Sequence, residues 1–288
     1  MEDVGLRHIQ SIVRPTTADE AWRLRTADPE TTRFLGGGID LVLYTPETVT
    51  TLIDVSGLSR ARVSAGRAGL AISAGMTLSA VLETPEIAAY VGGFLRDVLR
   101  QVASPLQRNV ATIGGAAMRA HPWSDVVLAL LVLDAEVEVF NGAARSVPAA
   151  EFYASRSQNV APLVTGIRLP QRTPSTRGAF EKFVRTGFDV GLLNCACVVE
   201  VTKGVCSRVR VAVGGTPALA RRLPDVEQVL EGRHLSSTTV GEVASLAARR
   251  VDARDDRRAS ESYRRKLTEV GVRRCLERLT GGGSEDAR

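Results

Sequence analysis

The run Arg108-Asn109-Val110-Ala111-Thr112-Ile113-Gly114-Gly115 organises the reading of this chain, because it has an earlier counterpart in Gly36-Gly37-Gly38-Ile39-Asp40-Leu41. Both runs border apolar segments, and both offer successive backbone amides with little side-chain bulk. Glycine reaches the positive φ angles that turn neighbouring N–H groups toward one point, and such a concave nest suits anionic oxygens. Two nests, the second flanked by Thr112, suggest a ligand carrying two phosphates.

Outward from these loops the chain divides by pattern. Thr17 to Glu20 reads as a capping box opening a helix through Ala27, and 51–55 reads as a strand. A second lobe runs from about Arg62 to Pro170. It holds a strand at 70–73, helices starting at Thr77 and Gly93, and an apolar helix over 126–133. A strand over 136–140 follows, with Asn141-Gly142 as a hairpin signal, and then a strand over 163–169. The polar segment 171–178 is the best linker candidate. Beyond it, strands over 179–185, 192–202 and 205–213 are followed by helices over 225–231, 239–251 (with a Thr239–Glu242 capping box) and 261–279. Strands followed by helices suggest a separate α+β domain. The expected organisation is a ligand-binding domain over 1–172 with two lobes split near 57–61, a second domain over 177–280, and a disordered tail over 281–288.

Composition excludes several classes. With 288 residues, 44% apolar and 24% charged, the chain can bury a core of ordinary globular type. The longest apolar run, 126–133, is far too short to span a bilayer. The opening Met-Glu-Asp-Val-Gly lacks a basic region followed by an apolar stretch, so a secretion signal is not expected. Four cysteines are too few for a disulfide framework, which points to a reducing cytoplasm. Cys195, Cys197 and Cys206 read as buried thiols rather than a metal site, and no Gly-x-Gly-x-x-Gly or Walker lysine motif is present. Much of the net charge of +5 comes from arginines between 249 and 274. With acidic residues interspersed and Tyr263 the only aromatic among them, they read as a solvated helical face, a partner-docking surface being the alternative; nucleic acid is not expected.

The two glycine runs resemble the signatures of the FAD-binding (medium) subunits of molybdenum hydroxylases, a family that includes carbon monoxide dehydrogenase and xanthine dehydrogenase. The second signature, from Val102 to Gly115, is similar almost residue for residue. The segment ending Leu133-Asp134-Ala135-Glu136-Val137-Glu138-Val139 continues the likeness, as do Phe180 to Arg185 with Asp189, and Tyr263 to Leu267. The resemblance implies an α+β fold: a two-lobed FAD-binding domain of PCMH type, then a C-terminal α+β flavoprotein domain with a small antiparallel sheet and helices. It implies non-covalent FAD held between the two lobes. Gly36, Gly37, Gly38, Ile39, Asp40 and Leu41 would form one wall, with Arg108, Ala111, Thr112, Gly114 and Gly115 on the pyrophosphate from the other side. Asp125, after Trp123 and Ser124, would take a sugar hydroxyl. Lys182 would approach the isoalloxazine, where negative charge builds on reduction, and Asp189 would lie on a loop near it.

Each residue also has an ordinary reading. Asp40 suits a turn, Asp125 an N-cap for the helix that follows, Lys182 a solvent-facing strand position, and Arg108 a surface ion pair. Trp123 serves either to stack on a cofactor ring or to pack at the helix start, and His121 is a candidate base or a solvated loop residue. The chain also departs from the family. Ile39 replaces a threonine, Ala116 an asparagine, and His121-Pro122-Trp123-Ser124 a run of small residues. Each lost neutral hydrogen bond is worth roughly 0.5–1.5 kcal/mol, so two losses are expected to weaken FAD binding about tenfold or more unless Trp123 or Arg119 compensates.

The function implied is an oxidoreductase subunit passing electrons between an iron–sulfur and molybdenum hydroxylase partner and an external acceptor. The alternatives are a stand-alone flavoenzyme acting on a small organic molecule, or a scaffold that has lost flavin.

Overall fold

A computed structural model of the chain describes residues 7–58, 60–155 and 161–280. Along the chain the elements are β1 (Ser11–Val13), α1 (Ala18–Ala27), β2 (Thr32–Leu35), α2 (Ile39–Tyr44), β3 (Thr51–Asp54), β4 (Val63–Gly66), β5 (Gly69–Ser73), α3 (Leu78–Glu83), α4 (Pro85–Ala89), α5 (Phe94–Arg100), α6 (Pro105–Arg108), α7 (Ile113–Arg119), α8 (Asp125–Val132), β6 (Glu136–Phe140), β7 (Ala144–Pro148), α9 (Ala149–Ala154) and β8 (Leu163–Pro170). Then come β9 (Thr176–Phe183), β10 (Leu193–Thr202), β11 (Val205–Gly214), β12 (Arg221–Arg222), α10 (Pro224–Leu230), α11 (Ser237–Arg250) and α12 (Glu261–Thr280). The expected α+β class is what is found.

Two compact units share the chain, and their segments interleave. The first comprises Met1–Glu86, Ser104–Arg119 and Ala135–Pro170; the second comprises Ile87–Ala103, Ala120–Asp134 and Gln171–Arg288.

The first unit holds two sheets. One is parallel, in the order β1-β3-β2; the other is antiparallel, in the order β4-β5-β8-β6-β7. Thr17 caps α1 by accepting the Glu20 amide at 3.1 Å, while the Glu20 carboxylate reaches back to the Thr16 amide at 2.7 Å, one residue before the usual box position. Ala21 of α1 packs with Ile53 and Leu163 in a small core. The Asn141–Gly142 turn joins β6 to β7 as expected, with Gly142 at φ 93. Strands β4 and β7 escaped the sequence reading because they are short, mostly exposed and carry no buried alternation.

The second unit is built on the antiparallel sheet β12-β11-β10-β9. Lys203 (φ 52) and Gly204 (φ 80) make the tight β10–β11 turn, in the doubly left-handed form that fits strand twist. Strand β10 is buried on both faces. Cys195, Cys197 and Val199 join the core made with α11 and α12, while Asn194 on the alternate face meets Asp125 at the start of α8. All eight residues of α8 are buried.

Two expectations need correcting here, and a third is refined. The segment expected as the linker, 171–178, runs straight into the next strand: β9 begins at Thr176, and Gly178 lies so close to Phe94 that a Cβ would meet its ring at 2.6 Å. Helix α11 starts at Ser237, capped by Ser236 on the Thr239 amide, so Thr239 lies inside the first turn. The C-terminal arginines do not form one solvated face. Arg264 is 1% exposed and donates to the carbonyls of Leu192, Arg254 and Ala259 and to Asp256, which fastens α12 to the loop before it. Residues 281–288 lie outside the described residues, as does any test of a disordered tail.

Candidate functional site

In the first unit, Gly36 follows β2, at the carboxyl end of a parallel strand, where α/β sheets commonly place ligands. Gly38 (φ 76) is the cap of α2, a backbone angle that glycine takes without strain. Asp40 and Leu41 lie in the first turn of α2. The second run begins with α6, where Ser104 and Gln107 form a reciprocal capping box and Arg108 is the last, half-buried residue.

The structure brings the two runs together backbone to backbone. A Cβ on Gly36 would sit 2.7 Å from Thr112 Oγ1, and one on Gly37 would sit 2.1 Å from the Val110 carbonyl oxygen. Arg119, at the end of α7, pairs with Asp40 at 3.4 Å and lies over the Tyr44 ring at 5.0 Å, so it ties α2 to α7. Asp40 is thus an ion-pair partner as well as a turn residue.

The second run is not the open series of amides that its glycines suggested. The amides of Val110 and Ala111 donate to the Gln107 carbonyl, Ile113 to Met76, Gly114 to Ala74 and Gly115 to Thr112 Oγ1. Gly114 is required for packing, since a Cβ would come within 2.6 Å of the Ala74 methyl. Among the described residues, the amides of Gly37, Gly38, Ile39 and Thr112 have no protein acceptor. These four donors beside two helix N-termini suit phosphate oxygens, so the residues present fit a diphosphate. The side chains at positions 39 and 116 are not needed for this, because the donors are main-chain groups.

In the second unit, Ser124 caps α8 by accepting the Val127 amide, which leaves Asp125 free of the capping role expected as its ordinary reading. Asp125 Oδ2 accepts from Lys182 Nζ at 2.6 Å, and Oδ1 accepts from Asn194 Nδ2 at 2.7 Å. Lys182 also donates to the Gln101 carbonyl at 2.9 Å. The Asp125 and Lys182 side chains are only 4% and 7% exposed, so Lys182 is no solvent-facing strand residue. Burial pushes the Asp125 carboxyl above its ordinary range, against the opposing pull of Lys182 and Asn194. Trp123 stacks on His121 with centroids 4.7 Å apart and an interplanar angle of 9°. Asp189 accepts from Arg185 at 3.2 Å and from Arg258 at 3.2 Å. Desolvation opposes its ionisation, yet these two arginines hold its carboxyl below the usual range. Asn194 was not anticipated; the available signal was one amide inside the apolar run Leu192 to Val199.

Comparison with known proteins places these features. Residues 7–172 match the family model of the FAD binding domain in molybdopterin dehydrogenase, and residues 178–279 match that of the CO dehydrogenase flavoprotein C-terminal domain. The chain is 28% identical to the nicotine 6-hydroxylase medium subunit of Paenarthrobacter nicotinovorans, over 91% of this chain and 94% of that protein. It is also 28% identical to the carbon monoxide dehydrogenase medium chain of Afipia carboxidovorans, over 92% and 94%. Its fold superposes on a chain of a Cu,Mo-CO dehydrogenase with a TM-score of 0.85 at 25% identity, covering 95% of this chain and 99% of that one. A chain of quinoline 2-oxidoreductase from Pseudomonas putida 86 shares the fold, with a TM-score of 0.84 at 22% identity and coverage of 94% and 97%. No helix among the described residues is long and apolar enough to cross a membrane. With a family model covering more than half of its length, the chain belongs to the FAD-binding medium subunits of the molybdenum hydroxylase family and is an FAD-dependent oxidoreductase subunit.

Proposed function

We propose that this subunit passes electrons between an iron–sulfur and molybdenum-cofactor partner and an external acceptor, working in the cytoplasm. The observation that carries the reading is the packed pair of glycine runs with unspent amides, in a chain that spans nearly the full length of relatives named as medium subunits or chains. Four buried, unpaired thiols suit a reducing compartment.

When bound, FAD supplies reversible redox chemistry through its isoalloxazine ring. The protein's part is to bind, orient and set electrostatics. The amides of Gly37, Gly38, Ile39 and Thr112 would bind the diphosphate, with Gly36, Gly114 and Gly115 allowing the close packing that sets their positions. Arg119 keeps α2, and with it Asp40 and Leu41, against α7. Arg108 ends α6, and Ala111, whose amide is spent on the Gln107 carbonyl, precedes Thr112. Asp125 would accept a sugar hydroxyl, and the Lys182 ammonium would favour negative charge on the ring system. The stacked Trp123, following His121 and preceding Ser124, offers an aromatic face. Asp189 orders the 185–191 loop through its arginine partners.

Co-expression with the molybdenum-cofactor and iron–sulfur subunits of a related hydroxylase tests the reading. The expected result is a stable ternary complex whose flavin is bleached by the hydroxylase substrate, while the isolated chain stays oxidised. Bleaching of the isolated chain by a small organic substrate would instead establish a stand-alone flavoenzyme.

A further inference from the structure

Lys182 on β9, Asn194 on β10 and Gly214 on β11 are directly paired in register and form one row across the sheet. Two members of that row are costly choices. Asn194 is fully buried in a strand that is otherwise apolar around it, and a buried amide is tolerated only where its hydrogen bonds are made. Its Nδ2 donates to Asp125 Oδ1 at 2.7 Å and to the Trp123 carbonyl at 3.3 Å. Both neighbours are acceptors, so the amide must present its nitrogen to them. Its Oδ1 is buried without a hydrogen-bond partner among the described residues. Gly214 is the second costly choice, since strand glycines weaken a sheet; a Cβ there would meet Asn194 Oδ1 at 2.5 Å and Ala220 Cβ at 3.0 Å. The fold thus tolerates an orphaned acceptor and a strand glycine in order to set one N–H donor against Asp125.

We propose that Asn194 is a positioning residue for the cofactor: its amide holds the Asp125 carboxylate in the orientation in which that carboxylate receives a sugar hydroxyl of FAD. The inference rests on the reading of Asp125 given under Proposed function. An ionised carboxylate has about four acceptor positions. Lys182 takes one on Oδ2 and Asn194 one on Oδ1, so each oxygen keeps capacity for a ligand donor. Without Asn194 the carboxylate is held by Lys182 alone, and its hold on a proton strengthens. The groups facing Asp125 are the Lys182 ammonium from β9 and the Asn194 amide from β10.

The test uses the full chain stripped of FAD and titrated with FAD between about pH 5 and 9, with the dissociation constant read from quenching of flavin fluorescence and the melting temperature of the apoprotein recorded in parallel. Asn194→Leu should raise Kd about tenfold, equivalent to about 1.4 kcal/mol, and move the acid limb of binding to higher pH. Asn194→Asp sets a second carboxyl beside Asp125. At acid pH the two share a proton, and the resulting O–H replaces the amide donor. Affinity should therefore approach that of the wild type at low pH and weaken as pH rises, opposite to the leucine variant. A purely structural role would lower the melting temperature without producing opposed pH trends. A leucine variant with wild-type Kd and profile, or an aspartate variant that follows the leucine one, overturns the inference. Should the leucine variant not fold, a wild-type profile in Asn194→Asp does so alone. Asp125→Asn separates the underlying reading: unchanged Kd there removes Asp125 from the cofactor, whereas weakened binding there with none in Asn194→Leu removes only the positioning role.

Discussion

Gly37→Ala perturbs the feature on which FAD binding depends most. The added Cβ would lie 2.1 Å from the Val110 carbonyl oxygen, 2.7 Å from its carbon and 2.8 Å from Ala111 Cα. All three are backbone atoms, so no rotamer change relieves the contact, and the runs must separate by on the order of 1 Å, an overpacking that costs about 1–3 kcal/mol. The separation also carries the Thr112 amide away from those of Gly37, Gly38 and Ile39. A hydrogen bond to a charged group is worth roughly 1.5–3 kcal/mol, so losing one raises the FAD dissociation constant roughly tenfold to a hundredfold. Two companions calibrate the effect. Gly38→Ala meets only Leu35 Cδ1 at 3.4 Å but must hold φ +76, a strain of roughly 1–2 kcal/mol. Gly57→Ala faces open space. Equilibrium FAD titration with thermal melts should rank Gly57→Ala with the wild type, Gly38→Ala weaker and Gly37→Ala weakest. A Gly37→Ala protein that binds FAD and melts like the wild type would refute the argument that contact between the two runs sets the amides.

Other predictions concern the second unit. Asp134 accepts from Arg172, Arg208, Arg210 and Arg222 at 2.8–3.0 Å, so Asp134→Ala should cost roughly 2–4 kcal/mol in urea unfolding. Desolvation raises the Asp134 carboxyl, but hydrogen bonds from Arg210 and Arg172 win and hold it below the usual range. Its stabilisation is therefore present above about pH 3.9 and fades as pH falls through the lower folded value; a wild-type advantage over Asp134→Ala that grew toward acid would contradict this. Lys182→Met leaves Asp125 buried and unpaired, and should destabilise the apoprotein by about 3–5 kcal/mol. Adding Asp125→Asn should recover much of that loss, and strict additivity in the double-mutant cycle would show that the pair does not act as a unit. Gly178→Ala drives a Cβ into the Phe94 ring at 2.6 Å and should lower stability by about 1–3 kcal/mol, measured by thermal melting.

Much of the fold was readable from local signals. Thr17 and Thr77 cap helices through side chains three residues from their targets, and Lys203-Gly204 and Asn141-Gly142 turn where turn chemistry says they should. The apolar run 126–133 became the wholly buried α8. Strands β4 and β7 had no such signal, because their pairing partners, not their own composition, hold them extended. The site was legible where residue type alone carries it. Gly36 and Gly37 announce close backbone approach, but which backbone approaches is a long-range fact, and here it is Val110–Thr112.

The sequence alone determined the two glycine runs, whose residue types stand at short, fixed spacings, and the resemblance they carry implied the family, the fold class and the cofactor. Only the tertiary structure decided which amides remain for a ligand, that Gly114 serves packing against Ala74, that Ser124 rather than Asp125 caps α8, and that Asn194 stands against Asp125. Those outcomes hang on hydrogen-bond partners dozens of residues away. A donor's availability is a property of what the rest of the chain has already claimed, and no local pattern records that.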